Sequence, residues 1–518
     1  MKKNGRQIKQ IRLKNFGPIK DGTINVKPLT IFIGPNNAGK SYVATLIYAL
    51  NNALSKRRTF LRRSRFGIFE VFSDETEKNL NKLLSEHFTG NTDPERINEL
   101  KISSEQIEKI RQAYLTTVEK SVNDLIAREF GAEIKDLKKD GKQSFSVDFQ
   151  TENERLQIVS HGNKIQLKDL SKWEKDITIR FKNQSVESEG PRRRRHRYYD
   201  IRREGNLFTV SLASPLNAFM LDRNAPERRE LEIVIFEISA ELLSSILELP
   251  DIRFSHEEDS FYYLPAARSG ILQGHKVLVA NMVQLIPSTL GVSDMKLERF
   301  SGVVADFLSN IVEIDNTKKP LYQVAADFEE RIITGSIVLL SQENKVNLAI
   351  EYKFGKMHIP LNRSSSTVSE LAPIFLFLKH LLDEGDTIII EEPEAHLHPA
   401  NQRILAHLII AMIRNKLNVL ITTHSEILLE EINNLIKLAT LTPETRKRLM
   451  GDENIFLNPD ELSVFNFEYH LKPRATVIRG LPVDEKNGIP QDEFLRVHEE
   501  LYSQYVTLSD LNEADLEE

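Results

Sequence analysis

The sequence predicts an α/β fold with a mixed, mainly parallel sheet covered by helices and split by a long helical and basic insertion. Three observations predict it. An apolar run at 29–33 enters a glycine-rich loop that a helix-compatible run follows, as in a strand–loop–helix unit. Strand-like and helix-like runs alternate between 370 and 438, which is typical of parallel sheets. Residues 73–320, between these two regions, carry mixed patterns and form the insertion.

Composition describes an ordinary folded protein without a strong overall charge. The 518 residues carry a formal net charge of −6, so contacts with polyanions would need local basic patches. The chain has no cysteine, which excludes disulfides, thiolate metal sites and cysteine nucleophiles and fits a reducing compartment. The basic N-terminus lacks the apolar segment of a signal peptide, and the apolar runs are too short to span a membrane. We therefore expect a cytoplasmic protein that makes no membrane contact.

Short strands and the insertion account for the first part of the chain. Apolar and polar residues alternate through 7–33, which predicts strands leading into the glycine-rich loop. Helical spacing of apolar residues prevails over 74–139, and strand-like alternation returns over 144–182. Residues 183–206 are polar and strongly basic, as expected of an exposed loop.

The order of elements is clearest towards the C-terminus. Residues 261–264 predict a strand that ends at Pro265, and 321–361 predict a helix followed by short strands. Beyond them we expect helices at 370–382, 401–416 and 426–438, with strands at 387–390 and 419–422 between them. We therefore divide the chain into an N-terminal lobe (1–72), an insertion (73–320), a C-terminal lobe (321–440) and a C-terminal extension (441–518).

Residues 34–41 match the phosphate-binding loop pattern G-x-x-x-x-G-K-[ST]. Its glycines let backbone N–H groups turn onto a phosphate, and the following helix points its positive end at the anion. We expect Lys40 to reach the β- and γ-phosphates and Ser41 to hold Mg²⁺. A chance match is the alternative, which the strand before the loop and the helix after it disfavour. The predicted nucleotide contacts are Gly34, Pro35, Asn36, Asn37, Ala38, Gly39, Lys40, Ser41 and Tyr42.

Two carboxylates follow the β-branched run at 387–390. Glu391 and Glu392 would stand at the carboxyl end of this strand, which is where ligands bind in an open parallel sheet. Hydrolysis of ATP needs an acidic residue for Mg²⁺ and a group that positions the attacking water. We predict that Glu391 contacts the hydrated Mg²⁺ and that Glu392 polarises the water. Two solvated glutamates that open a loop are the alternative.

A histidine follows the next apolar strand. Residues 419–423 lead directly into His424, which at such a strand end can hydrogen-bond the γ-phosphate. A structural or surface histidine is the alternative, but the position of His424 one strand after the acidic pair favours the site. The predicted catalytic residues are Lys40, Glu392 and His424.

These motifs together resemble one family. The loop GPNNAGKS and the strands IIIEEPEAHLHP and VLITTHS are similar to the ABC-type ATPase heads of the SMC, RecF and OLD group, the AAA-labelled ATPases common in bacterial defence. The resemblance implies an ABC-type head that binds ATP and Mg²⁺ and dimerises through composite ATP sites. Two departures matter. The family usually has aspartate where Glu391 stands, and its serine–glycine signature loop corresponds here to the glycine-free run 363–367.

The resemblance also implies roles at the dimer interface. The family's signature loop reaches ATP bound by the partner, which assigns Ser365 and its neighbour Ser366 to that contact; a serine N-cap for the next helix is the alternative. Residues 394–399 match the family's D-loop, which explains their two histidines better than a metal site does. Arg268 resembles an arginine expected at phosphate or the partner, with a surface arginine as the alternative. Gln150 is a candidate for the family's glutamine loop.

Two stretches, 56–65 and 191–203, interleave arginine with aromatic residues. Phosphate contacts combined with base stacking require this pattern, so both stretches are candidates for DNA or RNA binding. An acidic protein surface is the alternative partner. The predicted nucleic-acid contacts are Arg192, Arg193, Arg194, Arg195 and Arg197.

The chain after His424 lacks the pattern of a nuclease. OLD proteins carry a Toprim nuclease domain that needs a glutamate and a D-x-D pair for its metal, and no D-x-D follows His424. The resemblance therefore implies a homo-oligomeric ATPase whose nuclease is a separate polypeptide, as in the Septu system (HNH) or PARIS (Toprim). We predict an ATPase that gates such an effector in anti-phage defence. A RecF-like DNA-repair clamp and an ATP-dependent assembly scaffold are the alternatives.

Overall fold

The computed structural model describes residues 10–63, 98–150, 155–169, 176–184, 199–204, 206–213, 260–274, 301–340, 349–472 and 474–517. The predicted nucleic-acid contacts Arg192, Arg193, Arg194, Arg195 and Arg197 lie outside these residues. Within them, none of the helices combines the length and the apolar character needed to cross a membrane.

The described strands and helices are numbered in chain order. They are β1 (Gln10–Phe16), β2 (Ile19–Asn25), β3 (Leu29–Ile33), α1 (Lys40–Arg63), β4 (Asn98–Ile102), α2 (Ser104–Phe130), β5 (Ser146–Gln150), β6 (Arg155–His161), β7 (Lys164–Asp169), β8 (Ile177–Gln184), β9 (Tyr199–Glu204), β10 (Leu207–Ala213), β11 (Phe261–Leu264), α3 (Gly302–Glu313), α4 (Tyr322–Ile333), β12 (Ser336–Leu340), β13 (Ala349–Phe354), β14 (Met357–Pro360), α5 (Ser366–His380), β15 (Thr387–Glu391), α6 (Pro399–Arg414), β16 (Asn418–Thr422), α7 (Glu426–Ala439), α8 (Pro443–Met450), β17 (Leu462–Leu471), β18 (Arg474–Leu481) and α9 (Asp492–Glu517).

The chain folds into two compact units. The first comprises residues 1–8, 52–125 and 148–252, and the second comprises 9–51, 126–147 and 253–518. The first unit contains a four-stranded sheet of order β4-β8-β10-β9 and the antiparallel pair β6–β7. Strand β4 lies within a stretch that the sequence predicts to be helical. It is a strand because its pairing with β8 outweighs a weak local preference for helix. The lobe boundaries predicted at 72, 320 and 440 stay a prediction.

The second unit is built on a sheet whose strands run in the order β11-β15-β16-β3-β17-β18-β2-β1. Neighbouring strands from β11 to β17 are parallel, whereas β17 and β18 pair antiparallel, as do β2 and β1. The predicted α/β fold with a mixed, mainly parallel sheet is therefore confirmed. Strands β3 and β15 are buried at every position, as in a sheet covered on both faces.

Helices α6 and α7 follow the parallel strands β15 and β16, and α5 packs beside them. Helix α5 is buried from Val368 to His380, so it lies inside the apolar core rather than on the surface. Helices α6 and α7 contribute apolar side chains to the same core, to which β3, β15 and β16 also belong. Burial of this continuous apolar set holds the strand ends, and the loops that follow them, in fixed positions.

The C-terminal region supplies two strands that the sequence analysis did not assign. Strand β17 lies parallel to β3, with Val464 opposite Ile31, and β18 pairs with β2. Phe465 and Phe467 of β17 pack on Phe32, with ring centroids 6.1 and 5.1 Å away. The strand that leads into the phosphate loop is therefore flanked on both sides, by β16 and by β17.

A second, three-stranded sheet (β12-β13-β14) is attached to the core by a buried ion pair. Lys379 of α5 donates to both carboxylate oxygens of Glu329 in α4 at 3.0 Å, and to the carbonyl of Ile337 at 2.6 Å. Burial raises the pKa of Glu329 to about 7, against the opposing effect of Lys379. Removal of either partner would leave an uncompensated buried group, so this pair fixes α5 to the small sheet.

Candidate active site

Three adjacent parallel strands end at one edge of the sheet and bring the predicted residues together. Strand β16 lies between β3 and β15, with Thr422 opposite both Phe32 and Glu391. The phosphate loop follows β3, His424 follows β16, and the acidic pair ends β15. Because carboxyl ends of parallel strands share an edge, residues far apart in the chain become neighbours here.

The backbone of the loop adopts conformations that favour glycine. Gly34 and Gly39 have φ of 127° and 97°, and Asn37 has φ of 61°. A Cβ on Gly34 would lie 2.7 Å from the carbonyl oxygen of Phe467, and one on Gly39 would lie 2.6 Å from Cγ of Pro18. Both positions therefore require glycine on steric as well as conformational grounds.

Lys40 and Ser41 open helix α1 directly after this loop. The Lys40 ammonium donates to the carbonyls of Gly34 and Pro35, at 2.9 and 3.0 Å, so the side chain curls over the loop. Ser41 is exposed in the first turn, and its side chain lies near the Glu391 carboxylate, where it opposes the rise in the pKa of that group. The motif thus places an ammonium and a hydroxyl at the N-terminus of a long helix.

Glu391 is held in a mostly buried position by groups from β11. Its carboxylate accepts hydrogen bonds from the Tyr263 hydroxyl and, at 3.1 Å, from the backbone N–H of Ala266. Burial raises the pKa of Glu391, and the bond from Tyr263 opposes that shift most. Burial and the adjacent carboxylate also raise the pKa of Tyr263 well above its usual value. Tyr263 and Ala266 therefore fix the orientation of the Glu391 carboxylate.

Glu392 and His424 face one another across the strand ends. Glu392 has φ of 42°. Its N–H donates to the carbonyl and the hydroxyl of Thr422, at 2.9 and 3.2 Å. These hydrogen bonds stabilise the positive φ of Glu392. Its carboxylate lies 3.8 Å from Nε2 of His424, and both side chains are partly exposed. Burial and the nearby Lys40 ammonium lower the pKa of His424, so the ring is neutral at pH 7.

Arg268 connects the acidic pair to helix α5. It is fully buried, so the alternative of a surface arginine is wrong. Its guanidinium donates to the carbonyls of Glu391 and Glu392, at 2.7 and 3.2 Å, and to the carbonyl of Glu370 at 3.0 Å. The Glu370 carboxylate lies 3.3 Å from Nε and balances the charge. One side chain therefore holds the backbone that carries both carboxylates of the acidic pair.

The proposed signature serines lie at the start of α5. Ser365 is its N-cap and accepts from the N–H of Val368 at 3.4 Å, so the N-cap role is realised. Ser366 is the first helical residue, and both serines are exposed to solvent. Thr367 donates to the carbonyl of His396 at 3.1 Å, which joins this helix end to the loop 394–399.

The loop 394–399 is held by a buried carboxylate. Glu394 accepts from the Thr423 hydroxyl at 2.6 Å and from the N–H of His424 at 2.8 Å. Burial raises its pKa. His398 is the N-cap of α6, accepting from Ala400 N–H at 3.3 Å. Over the described ranges, no group of three or more acidic or histidine side chains is placed to hold a metal by itself.

Two predicted residues lie outside this constellation. The ring of Tyr42 packs on Phe16 and Phe130, with centroids 5.1 and 4.7 Å away. Burial, helped by Asp136, raises its pKa to about 12. Gln150 ends β5 with an exposed side chain. Sequence reasoning missed the structural roles of Tyr263 and Arg268, because the motif YYLPAAR gives no sign of which strand end it approaches.

The model of the AAA ATPase domain family matches residues 7–211 and 234–429 of this chain. The chain belongs to the AAA ATPase domain family. It is therefore an ATP-binding ATPase, and the match includes the phosphate loop, both glutamates of the acidic pair and His424. A comparison with curated proteins finds no significant match.

Solved structures of SMC heads are similar to the chain at low scores. The SMC head bound to the C-terminal winged-helix domain of ScpA has 10% identity and a TM-score of 0.38, over 92% of this chain and 98% of the other. The head from Pyrococcus furiosus, with an extended coiled coil and bound to the C-terminal domain of ScpA, has 13% identity and a TM-score of 0.34, over 96% and 99%. The head from Thermotoga maritima has 10% identity and a TM-score of 0.31, over 92% and 100%.

Proposed function

We propose that this AAA ATPase hydrolyses ATP at composite sites between two copies of the chain, and that its nucleotide state gates a separate nuclease or other effector in anti-phage defence. One observation supports the ATPase part above all others. The loop with Lys40, the acidic pair and His424 meet at adjacent carboxyl ends of β3, β15 and β16. Phosphate binding, metal binding and activation of water all require groups at one such edge.

Lys40 and the loop would hold the phosphates. In the proposal the Lys40 ammonium exchanges its bonds to the Gly34 and Pro35 carbonyls for bonds to β- and γ-phosphate oxygens. The loop N–H groups and the N-terminus of α1 add stabilisation for the negative charge. His424, neutral because of burial and Lys40, donates or accepts a hydrogen bond at the γ-phosphate without adding charge.

Ser41 and Glu391 form the oxygen pair that would hold Mg²⁺. The Ser41 side chain lies close enough to the Glu391 carboxylate to lower its pKa, so the two side chains would offer neighbouring oxygens to one ion, and hard oxygen donors suit this metal. When bound, Mg²⁺ neutralises charge on the β- and γ-phosphates. Tyr263 and the N–H of Ala266 keep Glu391 oriented for this contact.

Glu392 is the residue proposed to position and polarise the attacking water. Its carboxylate is partly exposed beyond the end of β15, unlike that of the buried Glu391. Its position 3.8 Å from His424 places a general base beside a group expected at the γ-phosphate. The two adjacent glutamates thus have environments that fit different tasks.

The second half of the composite site is proposed to come from the start of α5 in another copy. Ser365 and Ser366 are exposed there, and a helix N-terminus attracts phosphate. Arg268 ties this helix to the acidic pair of its own chain, so the two half-sites of one chain are mechanically linked. We propose that oligomerisation and hydrolysis are coupled through this connection.

The effector part of the proposal rests on the resemblance of the three motifs to the ATPases of bacterial defence systems. The arginines at 192–195 and 197 offer contacts for DNA or RNA. A genomic neighbour that encodes a small nuclease would support defence. A position in a replication operon would favour the RecF-like clamp instead.

Glu392→Gln tests the proposal directly. The amide removes the base while leaving the backbone contacts to Thr422 and Arg268, so we expect loss of ATP turnover by about a hundredfold or more with ATP binding retained. Sedimentation velocity with ATP and Mg²⁺ should then show a stabilised dimer or larger assembly. Turnover equal to wild type would refute the role of Glu392. A monomer under all conditions would refute the composite site. Lys416→Ala, which changes an exposed side chain, is the control variant.

A further inference from the structure

Helix α9 exposes apolar side chains in an unusual concentration. Val497, Leu501 and Leu508 are 47%, 58% and 63% exposed, and Tyr502 is 71% exposed. Among the described residues, six of the fourteen exposed large apolar side chains belong to this one helix. Single exposed leucines are ordinary, but a group on one element marks an interaction surface.

Three of these side chains form a stripe. Positions 497, 501 and 508 are four and seven residues apart, which places them within about 40° of each other on a helix with 3.6 residues per turn. This stripe, Val497, Leu501 and Leu508, is long enough to fit an apolar groove of another polypeptide. We call it the α9 stripe.

An ion pair attaches α9 close to the candidate active site. Nε2 of His498 lies 2.8 Å from the carboxylate of Glu426, the first residue of α7. Hydrogen bonding to Glu426 raises the pKa of His498. The first residue of α7, Glu426, lies two positions after His424 and directly follows the N-cap Ser425. The N-terminus of α7 therefore connects α9 to the end of the site where the γ-phosphate is expected.

The charge of α9 determines which partner fits it. The helix carries eight acidic residues and the single arginine Arg496. Glu500 lies about 80° around the helix from the middle of the α9 stripe, and the helix as a whole is acidic, so a second copy of it would bring like charges together. A partner surface with lysine or arginine beside an apolar groove would instead be complementary.

We propose that the α9 stripe is the docking site for a separate polypeptide that presents an apolar groove rimmed by lysine and arginine. The side chains of the stripe enter the groove, and the acidic positions beside it pair with the rim. This surface is separate from the ATP site, so docking does not depend on the proposed hydrolysis.

Site-specific crosslinking in the native host identifies what covers α9. The photo-crosslinking amino acid p-benzoylphenylalanine replaces Leu508 of the α9 stripe in the full chain, and as a control it replaces Leu449 of α8, which is 59% exposed. We expect one separate polypeptide to crosslink at 508 and not at 449. Mass spectrometry of the product should place the crosslink in an apolar segment flanked by lysine or arginine.

Purified partners then test the stripe itself. Leu501→Asp should weaken binding of the crosslinked polypeptide by about tenfold or more, whereas Leu449→Asp should leave it within about twofold. Both variants should keep wild-type ATP turnover, which shows that they fold. Binding should also weaken as salt is raised, because the rim contacts are ionic.

Four crosslinking results would overturn the proposal. They are a crosslink to a second copy of the chain, a crosslink to basic residues of the same chain, equal crosslinking at 508 and 449, and a partner segment that is acidic. Unchanged binding by Leu501→Asp would also overturn it. Loss of ATP turnover in Glu392→Gln has no bearing on these results, so the docking proposal and the proposed hydrolysis fail separately.

Discussion

Nη1 of Arg268 donates to the carbonyl oxygen of Glu391 at 2.7 Å, inside the protein and away from solvent. The same guanidinium reaches the carbonyl of Glu392 and both the carbonyl and carboxylate of Glu370. A planar group with several fixed donors is the side chain suited to this task, since lysine offers one ammonium. The position of the acidic pair therefore depends on a residue in the segment that follows a different strand, β11.

Arg268→Lys should impair catalysis more than binding. The lysine side chain is shorter and ends in a single ammonium, so it keeps the pairing with Glu370 but loses contacts with the carbonyls. We therefore expect kcat to fall about tenfold with KM changed less than about threefold. Thermal unfolding should show destabilisation of about 2 kcal/mol. Arg403→Lys, at a largely exposed arginine of α6, is the control. If kcat falls only in proportion to the folded fraction, turnover per folded molecule is normal. That result would contradict a positioning role.

Two substitutions at Ser365 separate capping from contact with the partner's ATP. Ser365→Ala removes the N-cap and should cost about 1 kcal/mol of stability. Ser365→Asp keeps a capping oxygen but adds a negative charge where we propose that phosphate approaches, so stability should remain while turnover falls about tenfold. Thermal unfolding and steady-state ATPase assays measure the two effects. If Ser365→Asp turns over ATP like wild type, the serine is only a cap.

Gly34→Ala should abolish nucleotide binding. The added Cβ would lie 2.7 Å from the Phe467 carbonyl at a φ of 127°, so β17 or the loop must move. Gly355→Ala is a matched control, because its φ is also positive, at 57°, and nothing lies within 4 Å of the added Cβ. Binding of a fluorescent ATP analogue should be lost in the first variant and kept in the second. Normal affinity in Gly34→Ala would show that the loop does not need its observed conformation.

Glu431 should make stability depend on acid pH. Hydrogen bonds from His407, Arg403 and Asn434 outweigh burial and lower the pKa of Glu431 to about 2. A carboxyl whose pKa is lower in the folded chain stabilises the fold above its unfolded pKa of about 4.3, and this stabilisation is lost as pH falls towards 2. The urea midpoint of wild type should drop across that window. Glu431→Gln should start lower at pH 7 and show a flatter dependence, and identical slopes would contradict the assignment.

Sequence patterns predicted much of the candidate site because each motif is local. The loop 34–41, the strand before Glu391 and the strand before His424 are contiguous runs whose residue types and spacing predict both element and chemistry. The order of strands and helices from 370 to 438 followed from the same alternation and agrees with the structure. The N-cap alternative for Ser365 also followed from residue chemistry alone, and the structure confirms it.

Tertiary structure decided which distant residues support those motifs. Val464 of β17 lies opposite Ile31 of the phosphate-loop strand, although more than four hundred positions separate them in the sequence. Tyr263 and Arg268 meet the acidic pair only because β11 pairs with β15 in parallel. Such contacts depend on strand order and on burial of the whole core, which no short pattern encodes. The sequence by itself therefore determined the chemistry of the site, and packing decided what holds Glu391 and Glu392 in place.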